Sequence, residues 1–153
     1  ATWVFDISGG QDLYVSIDAA AMGDFESGSD LFDFTYSIDG SPFLPLFTSS
    51  VDESIDQTYT LEDGDSFTLD DPLLLNDMLL NNEFQTLFAY LNGDTGDELT
   101  IQFDATTNGG DEAFAFDNLQ VLSTPEPASF ALWSLLGLVS AAGVCWRSRR
   151  GRE

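Results

Sequence analysis

Across residues 12–18 apolar and polar positions alternate, with Leu13, Val15 and Ile17 on one side of the chain. A repeat of two sends successive side chains to opposite faces of a strand, so this segment predicts a strand with one buried face. The alternation recurs in residues 99–104. It recurs again in residues 114–121, where Phe114, Phe116, Leu119 and Val121 are apolar and the phase shifts at Asp117-Asn118. Residues 3–7, 31–39 and 82–91, with a short run at 43–47 broken by Pro45, complete seven predicted strands. Gly9-Gly10, Asp39-Gly40, Asp63-Gly64, Asn92-Gly93 and Asn108-Gly109-Gly110 separate them, and Asp39-Gly40-Ser41 between two apolar runs predicts a hairpin. Short strands without a strong helical period between them predict an all-β fold, an antiparallel β-sandwich of jelly-roll type, over residues 1–122.

Two stretches break the pattern. Asp71-Pro72, followed by several leucines up to Leu80, pairs an N-cap residue with a proline suited to a first helical position. It predicts one short helix or an ordered loop. Residues 49–71 read as acidic and irregular, except that 57–61 predicts a strand. No internal repeat is present.

The β pattern ends at Ser123-Thr124-Pro125-Glu126-Pro127, a stiff linker over residues 123–127. Residues 128–146 carry no charge. As a helix this run would span about 28 Å, close to the thickness of a bilayer core, so it predicts one transmembrane helix with Trp146 as an interfacial anchor. A buried core helix is the competing reading, but such helices rarely lead from Pro-Glu-Pro straight into an arginine cluster. Arg147, Arg149, Arg150 and Arg152 follow at once in a basic tail, residues 147–153. The positive-inside rule keeps that tail cytoplasmic. The expected location is the inner membrane, with the ectodomain outside the cytoplasm.

Charge sharpens this division. The chain holds 27 acidic and 4 basic residues and no His, for a net charge of −23. All four basic residues are the tail arginines, so residues 1–146 contain no Lys, Arg or His. Phosphate recognition depends on Lys and Arg, so such a surface excludes nucleic acid as a partner and repels anionic lipid. Crowded carboxylates here have no basic side chain to pair with and must be solvated, protonated or neutralised by cations. The single Cys145 lies in the apolar run, which excludes an intrachain disulfide. Thirteen Phe argue for a packed core despite the charge. No basic, apolar leader precedes Thr2, so any signal peptide is expected to have been removed or to lie outside this sequence.

Pro125-Glu126-Pro127, the apolar span and the terminal arginines, in that order, resemble the PEP-CTERM sorting signal of bacterial surface proteins. The resemblance implies that Pro125, Glu126 and Pro127 are recognition residues for an exosortase-type processing enzyme. It also implies a cell-surface or extracellular destination after processing. The ectodomain is similar to secreted bacterial jelly-roll, galactose-binding-like or carbohydrate-module-like domains. The matching pieces are Asp6-Ile7-Ser8-Gly9, Gly23-Asp24-Phe25-Glu26 with Asp30, Tyr36-Ser37-Ile38-Asp39-Gly40, and residues 112–119. That resemblance implies a sandwich that often carries a structural calcium ion. Residues 52–80 depart from it as a long acidic insertion.

Calcium takes six to eight oxygen ligands, which carboxylates and backbone carbonyls supply. Asp24, Glu26 and Asp30 cluster in one loop, while Glu112 and Asp117 lie on or beside the last strand. These five are the candidate metal ligands. Asp117 sits within an apolar strand and is expected to be partly buried, where a carboxylate without a basic partner needs a metal or several backbone N–H donors. Solvated surface acids, with Asp117 and Asn118 satisfying backbone groups at a bulge, are the alternative.

Nothing points to catalysis. His is absent, the one Cys lies in the apolar run, and no phosphate loop or dinucleotide fingerprint occurs. Any two of so many carboxylates could be paired as a glycosidase dyad, so a pair carries no weight. Two readings follow. One is a surface module contacting extracellular polysaccharide or matrix. The other is a structural surface-coat protein with no specific ligand. Exposed aromatics on a sheet face would favour the first, and Tyr14, Tyr36, Tyr59 and Tyr90 are the candidates, with core packing the expected role for most of them.

Overall fold

Strands built on a period of two need partners for their backbones and cover for their apolar faces. The computed structural model, which describes residues 1–91, 93 and 95–123, shows how both are met. Among the described residues twelve strands run in chain order: β1 (Thr2–Asp6), β2 (Leu13–Met22), β3 (Leu31–Ile38), β4 (Leu44–Phe47), β5 (Ser49–Val51), β6 (Asp56–Thr60), β7 (Ser66–Asp70), β8 (Leu73–Leu75), β9 (Met78–Leu79), β10 (Gln85–Tyr90), β11 (Glu98–Thr106) and β12 (Ala113–Ser123). All pairings among the described residues are antiparallel. Residues Ala1–Ser123 form one compact unit.

Two sheets hold the core between them, ordered β1-β11-β3-β4 and β10-β2-β12. Val15, Ile17, Ala19 and Ala21 point inward from β2, and Phe32, Phe34, Tyr36 and Ile38 from β3. The register sets Phe116 beside Ala19 and Phe114 beside Ala21, so small side chains leave room for large rings. Those rings meet rings of the other sheet: Phe116 contacts Phe34 at 5.2 Å and Trp3 at 5.8 Å edge-on, and Phe114 stacks on Phe32 at 4.7 Å. Such aromatic pairs add about 0.5–1.5 kcal/mol each beyond their buried area.

The predicted phase shift in the last strand is present. A bulge falls between Asp117 and Gln120, with Asn118 left-handed at φ 51°. It returns Leu119 and Val121 to the inner face. The Asp39-Gly40 turn is also present: both residues have positive φ, and Ser41 N–H donates to the Ile38 carbonyl at 2.9 Å.

No helix forms over 71–80. Leu75 pairs with Met78 across Asn76-Asp77, whose φ values of 49° and 61° make the two-residue turn that suits a tight hairpin. Two consecutive left-handed residues cannot continue a right-handed helix. Leu73 and Leu75 are fully buried on one face of β8. A run of leucines satisfies either period, and here tertiary burial selected the strand. The acidic insertion is likewise ordered, as the β5-β8-β9 sheet and the β6-β7 hairpin, with Tyr59 buried.

Among the described residues no helix is long and apolar enough to cross a membrane. Pro125, Glu126, Pro127, the expected span at 128–146 and Arg147, Arg149, Arg150 and Arg152 lie outside the described residues, as do Asn92 and Asp94.

Candidate functional site

Strand alternation sends Tyr14, Ser16 and Asp18 of β2 to the outer face of the β10-β2-β12 sheet, because Leu13, Val15 and Ile17 fill the inner one. Tyr90, Phe88 and Thr86 of β10 sit opposite them in that order. On the other side Leu122, Gln120 and Asp117 of β12 do the same. The result is three rows of three: Tyr90–Tyr14–Leu122, Phe88–Ser16–Gln120 and Thr86–Asp18–Asp117. Tyr14 lies 5.7 Å from the Tyr90 ring and 6.1 Å from the Phe88 ring, both tilted. Phe88 is 56% exposed and Tyr90 67%, with Tyr14 half-buried between them.

The third row is polar and tied together. Asp18 accepts from Thr86 Oγ1 at 2.5 Å and from Asn118 Nδ2 at 2.7 Å. These two hydrogen bonds, Asn118's the larger influence, hold the Asp18 carboxyl below its ordinary pKa. Of the tyrosines considered from sequence, Tyr14 and Tyr90 are on this face, whereas Tyr36 and Tyr59 are buried in the interior. Phe88 was missed. Its alternation with buried Leu87 was the available signal, but an exposed Phe is otherwise read as core.

A second arrangement joins the loop between β2 and β3 to the loop before β12. One carboxylate oxygen from each of Glu26, Asp30 and Glu112 lies within 4.8 Å of the others. Asp30 is buried and accepts backbone N–H from Glu26 at 2.7 Å and from Asn108 at 3.2 Å. Glu112 accepts from Thr107 Oγ1 and from Gly109 N–H. Gly23 permits the approach of the two loops, since a Cβ there would lie 2.8 Å from Glu112 Cα. The hydrogen bond with Asp30, then burial and the charges of Asp30, Glu112 and Asp24, push the Glu26 carboxyl above its ordinary pKa.

The structure therefore brings together three of the five candidate metal ligands. Asp24 is exposed and outside the triad. Asp117 is also outside it, and the expectation of partial burial fails: the side chain is exposed, with Oδ1 accepting the Asn118 N–H at 2.7 Å. Because Phe116 points inward, its neighbour Asp117 must point out. The donor set is all oxygen, with no basic side chain in residues 1–146 to neutralise it, which fits a hard divalent cation. A proton shared by Glu26 and Asp30 satisfies the same geometry.

Residues 123–150 match a family model described as the PEP-CTERM protein-sorting motif. The match covers the tail and not the β unit. It implies an exported protein, attached at the cell surface and processed by an exosortase. No curated protein and no solved structure matches the chain.

Proposed function

We propose that the β unit is a non-catalytic polysaccharide- or matrix-binding module, displayed by its sorting tail from the inner membrane and then at the cell surface. The outer face of β10-β2-β12 carries this reading. Sugar rings present C–H faces that stack on aromatic rings and hydroxyls that seek fixed polar partners. Tyr14, Phe88 and Tyr90 supply the first, and Gln120, Thr86 and Asp18 the second. Specific sites combine apolar contact with a few placed polar groups in this way. A jelly-roll-like sandwich of the carbohydrate-module kind is the architecture assigned, supported by two sheets whose rings meet in the core. The processing partner is an exosortase-type enzyme acting at Pro125-Glu126-Pro127, with the membrane engaged through residues 128–146.

Calcium is proposed as a structural companion at Glu26, Asp30 and Glu112, where it would tie the two loops and offset carboxylate repulsion. A cation that binds only the folded state at a hundredfold excess over its Kd adds about 2.7 kcal/mol. Thermal unfolding of the full chain in detergent, in calcium, magnesium and chelator, reads this directly. A rise specific to calcium is expected; equal midpoints in all three would remove the ion.

Binding is tested by retention of the full chain on insoluble polysaccharides and by titration with soluble ones. Tyr14→Ala and Phe88→Ala are expected to weaken binding about tenfold or more each, as for anchoring aromatics at other interfaces. If no glycan is retained, or if ring removal changes nothing, the coat-protein reading without a specific ligand takes its place.

A further inference from the structure

The third row of the ring-bearing face has an uncommon composition. Asp18 and Asp117 are register partners on β2 and β12, two carboxylates directly opposite on one face. Like charges so placed destabilise a sheet. Nearby basic side chains usually relieve such a pair, but residues 1–146 contain none. Hydrogen bonds from Asn118 and Thr86 hold Asp18 in place without adding a charge, and among the described residues the Asp117 side chain accepts from the Asn118 backbone alone. Rows along an antiparallel strand are spaced about 6.8 Å, so the carboxylate row lies one step from Phe88 and two from Tyr14 and Tyr90. A sugar stacked on the rings therefore sets its chain neighbours within reach of both carboxylates.

Resting on the polysaccharide-binding reading above, we infer that the polymer taken by this face is an amino-sugar polysaccharide with free, protonated amines, whose ammonium groups sit at Asp18 and Asp117. Charge complementarity selects it. An anionic uronate polymer would meet two uncompensated carboxylates and a domain of one sign. A neutral polymer would leave the pair unrelieved. A protonated amine supplies N–H donors and the missing positive charge, and charge-assisted hydrogen bonds are among the stronger kind.

The test titrates the full chain in neutral detergent with N-acetylglucosamine oligomers of one length, either fully acetylated or partly deacetylated, at a pH where the amines are protonated. A uronate oligomer is the third probe. The deacetylated oligomer is expected to bind about tenfold or more tighter than the acetylated one, the effect of one charge-assisted hydrogen bond, and the uronate weakest. Asp117→Asn should abolish that preference while binding of the acetylated oligomer persists, and Asp18→Asn with Asp117→Asn should likewise leave no preference. Unchanged β-sheet circular dichroism shows that the variants fold, and the single variant touches the local hydrogen bond from Asn118 N–H. If the preference survives both variants, the attraction belongs to the acidic surface at large and the inference falls. Equal binding of the two oligomers with intact dependence on Tyr14 and Phe88 also overturns it, while leaving the polysaccharide reading standing. Loss of all ring-dependent binding removes both.

Discussion

Asn118 donates from Nδ2 to Asp18 Oδ2 at 2.7 Å across the β2–β12 pair, from a backbone held left-handed at φ 51°. The bulge thus does two things at once. It returns Leu119 to the core, and it aims an amide at a carboxylate one hundred residues away in sequence.

Replacing Asn118 separates these roles. Asn118→Gly keeps the left-handed backbone and removes the amide, whereas Asn118→Ala adds a strain of about 1–2 kcal/mol. Alanine is therefore expected to lower the urea midpoint clearly more than glycine. In both variants the Asp18 pKa, followed by carboxylate NMR, should rise toward its ordinary value. In the parent, the depressed Asp18 pKa gives stability that is fully present above the unfolded carboxylate pKa. That stability is lost as pH falls through the lower folded value.

Glu26 has the opposite sign. Its folded pKa is raised, chiefly by the hydrogen bond with Asp30, so the ionised form costs stability above that value. The cost fades as pH falls through the raised folded pKa toward the unfolded one. Glu26→Gln is expected to raise the thermal midpoint at neutral pH in chelator and to give no gain below the carboxylate range. In excess calcium the same substitution should diminish the calcium-induced rise. A midpoint that shifts identically in calcium and chelator would separate the triad from any ion.

Phe34 packs inside the ring cluster, with Phe103 at 4.6 Å, Phe116 at 5.2 Å and Phe47 at 5.9 Å. It is fully buried. Phe34→Ala should cost about 3–5 kcal/mol in urea unfolding. Phe88→Ala, on the solvent face, should cost about 0.5 kcal/mol or less. This contrast separates rings that hold the fold from rings available to a ligand.

The Asn76-Asp77 turn offers a further contrast. Asp77 is exposed and left-handed, so Asp77→Gly should stabilise by about 0.5–1 kcal/mol. Asn76 shares that backbone, but its side chain donates to the Leu46 carbonyl at 3.1 Å and accepts from Thr48 N–H at 2.9 Å. Asn76→Gly should therefore be net destabilising, because the two lost bonds, worth about 0.5–1.5 kcal/mol each, outweigh the relieved strain. Chemical denaturation of the two variants side by side reads the difference.

Local pattern was enough to mark the strands of clear period two and their faces, but not β5, β7, β8 and β9 in the stretch read as irregular or helical. Period two in residues 12–18, 99–104 and 114–121 identified which side chains turn inward, and the phase slip at Asp117-Asn118 is the observed bulge. The sorting tail was legible too, because its three parts are contiguous in the chain and need no folding to be recognised. Periodicity, however, reports faces and not neighbours. That β10 and β12 both flank β2, so that Tyr90, Tyr14 and Leu122 form one row and Asp18 meets Asp117, follows from long-range register. The same holds for the choice of Glu26, Asp30 and Glu112 from 25 carboxylates ahead of the linker, which are the 27 of the chain less Glu126 and Glu153. In residues 71–80 the leucine run suits a helix or a strand equally, and burial of Leu73 and Leu75 beneath the core decided for the strand. Propensity and period act within a few residues, whereas pairing and burial couple positions far apart, and the candidate sites are built from the latter.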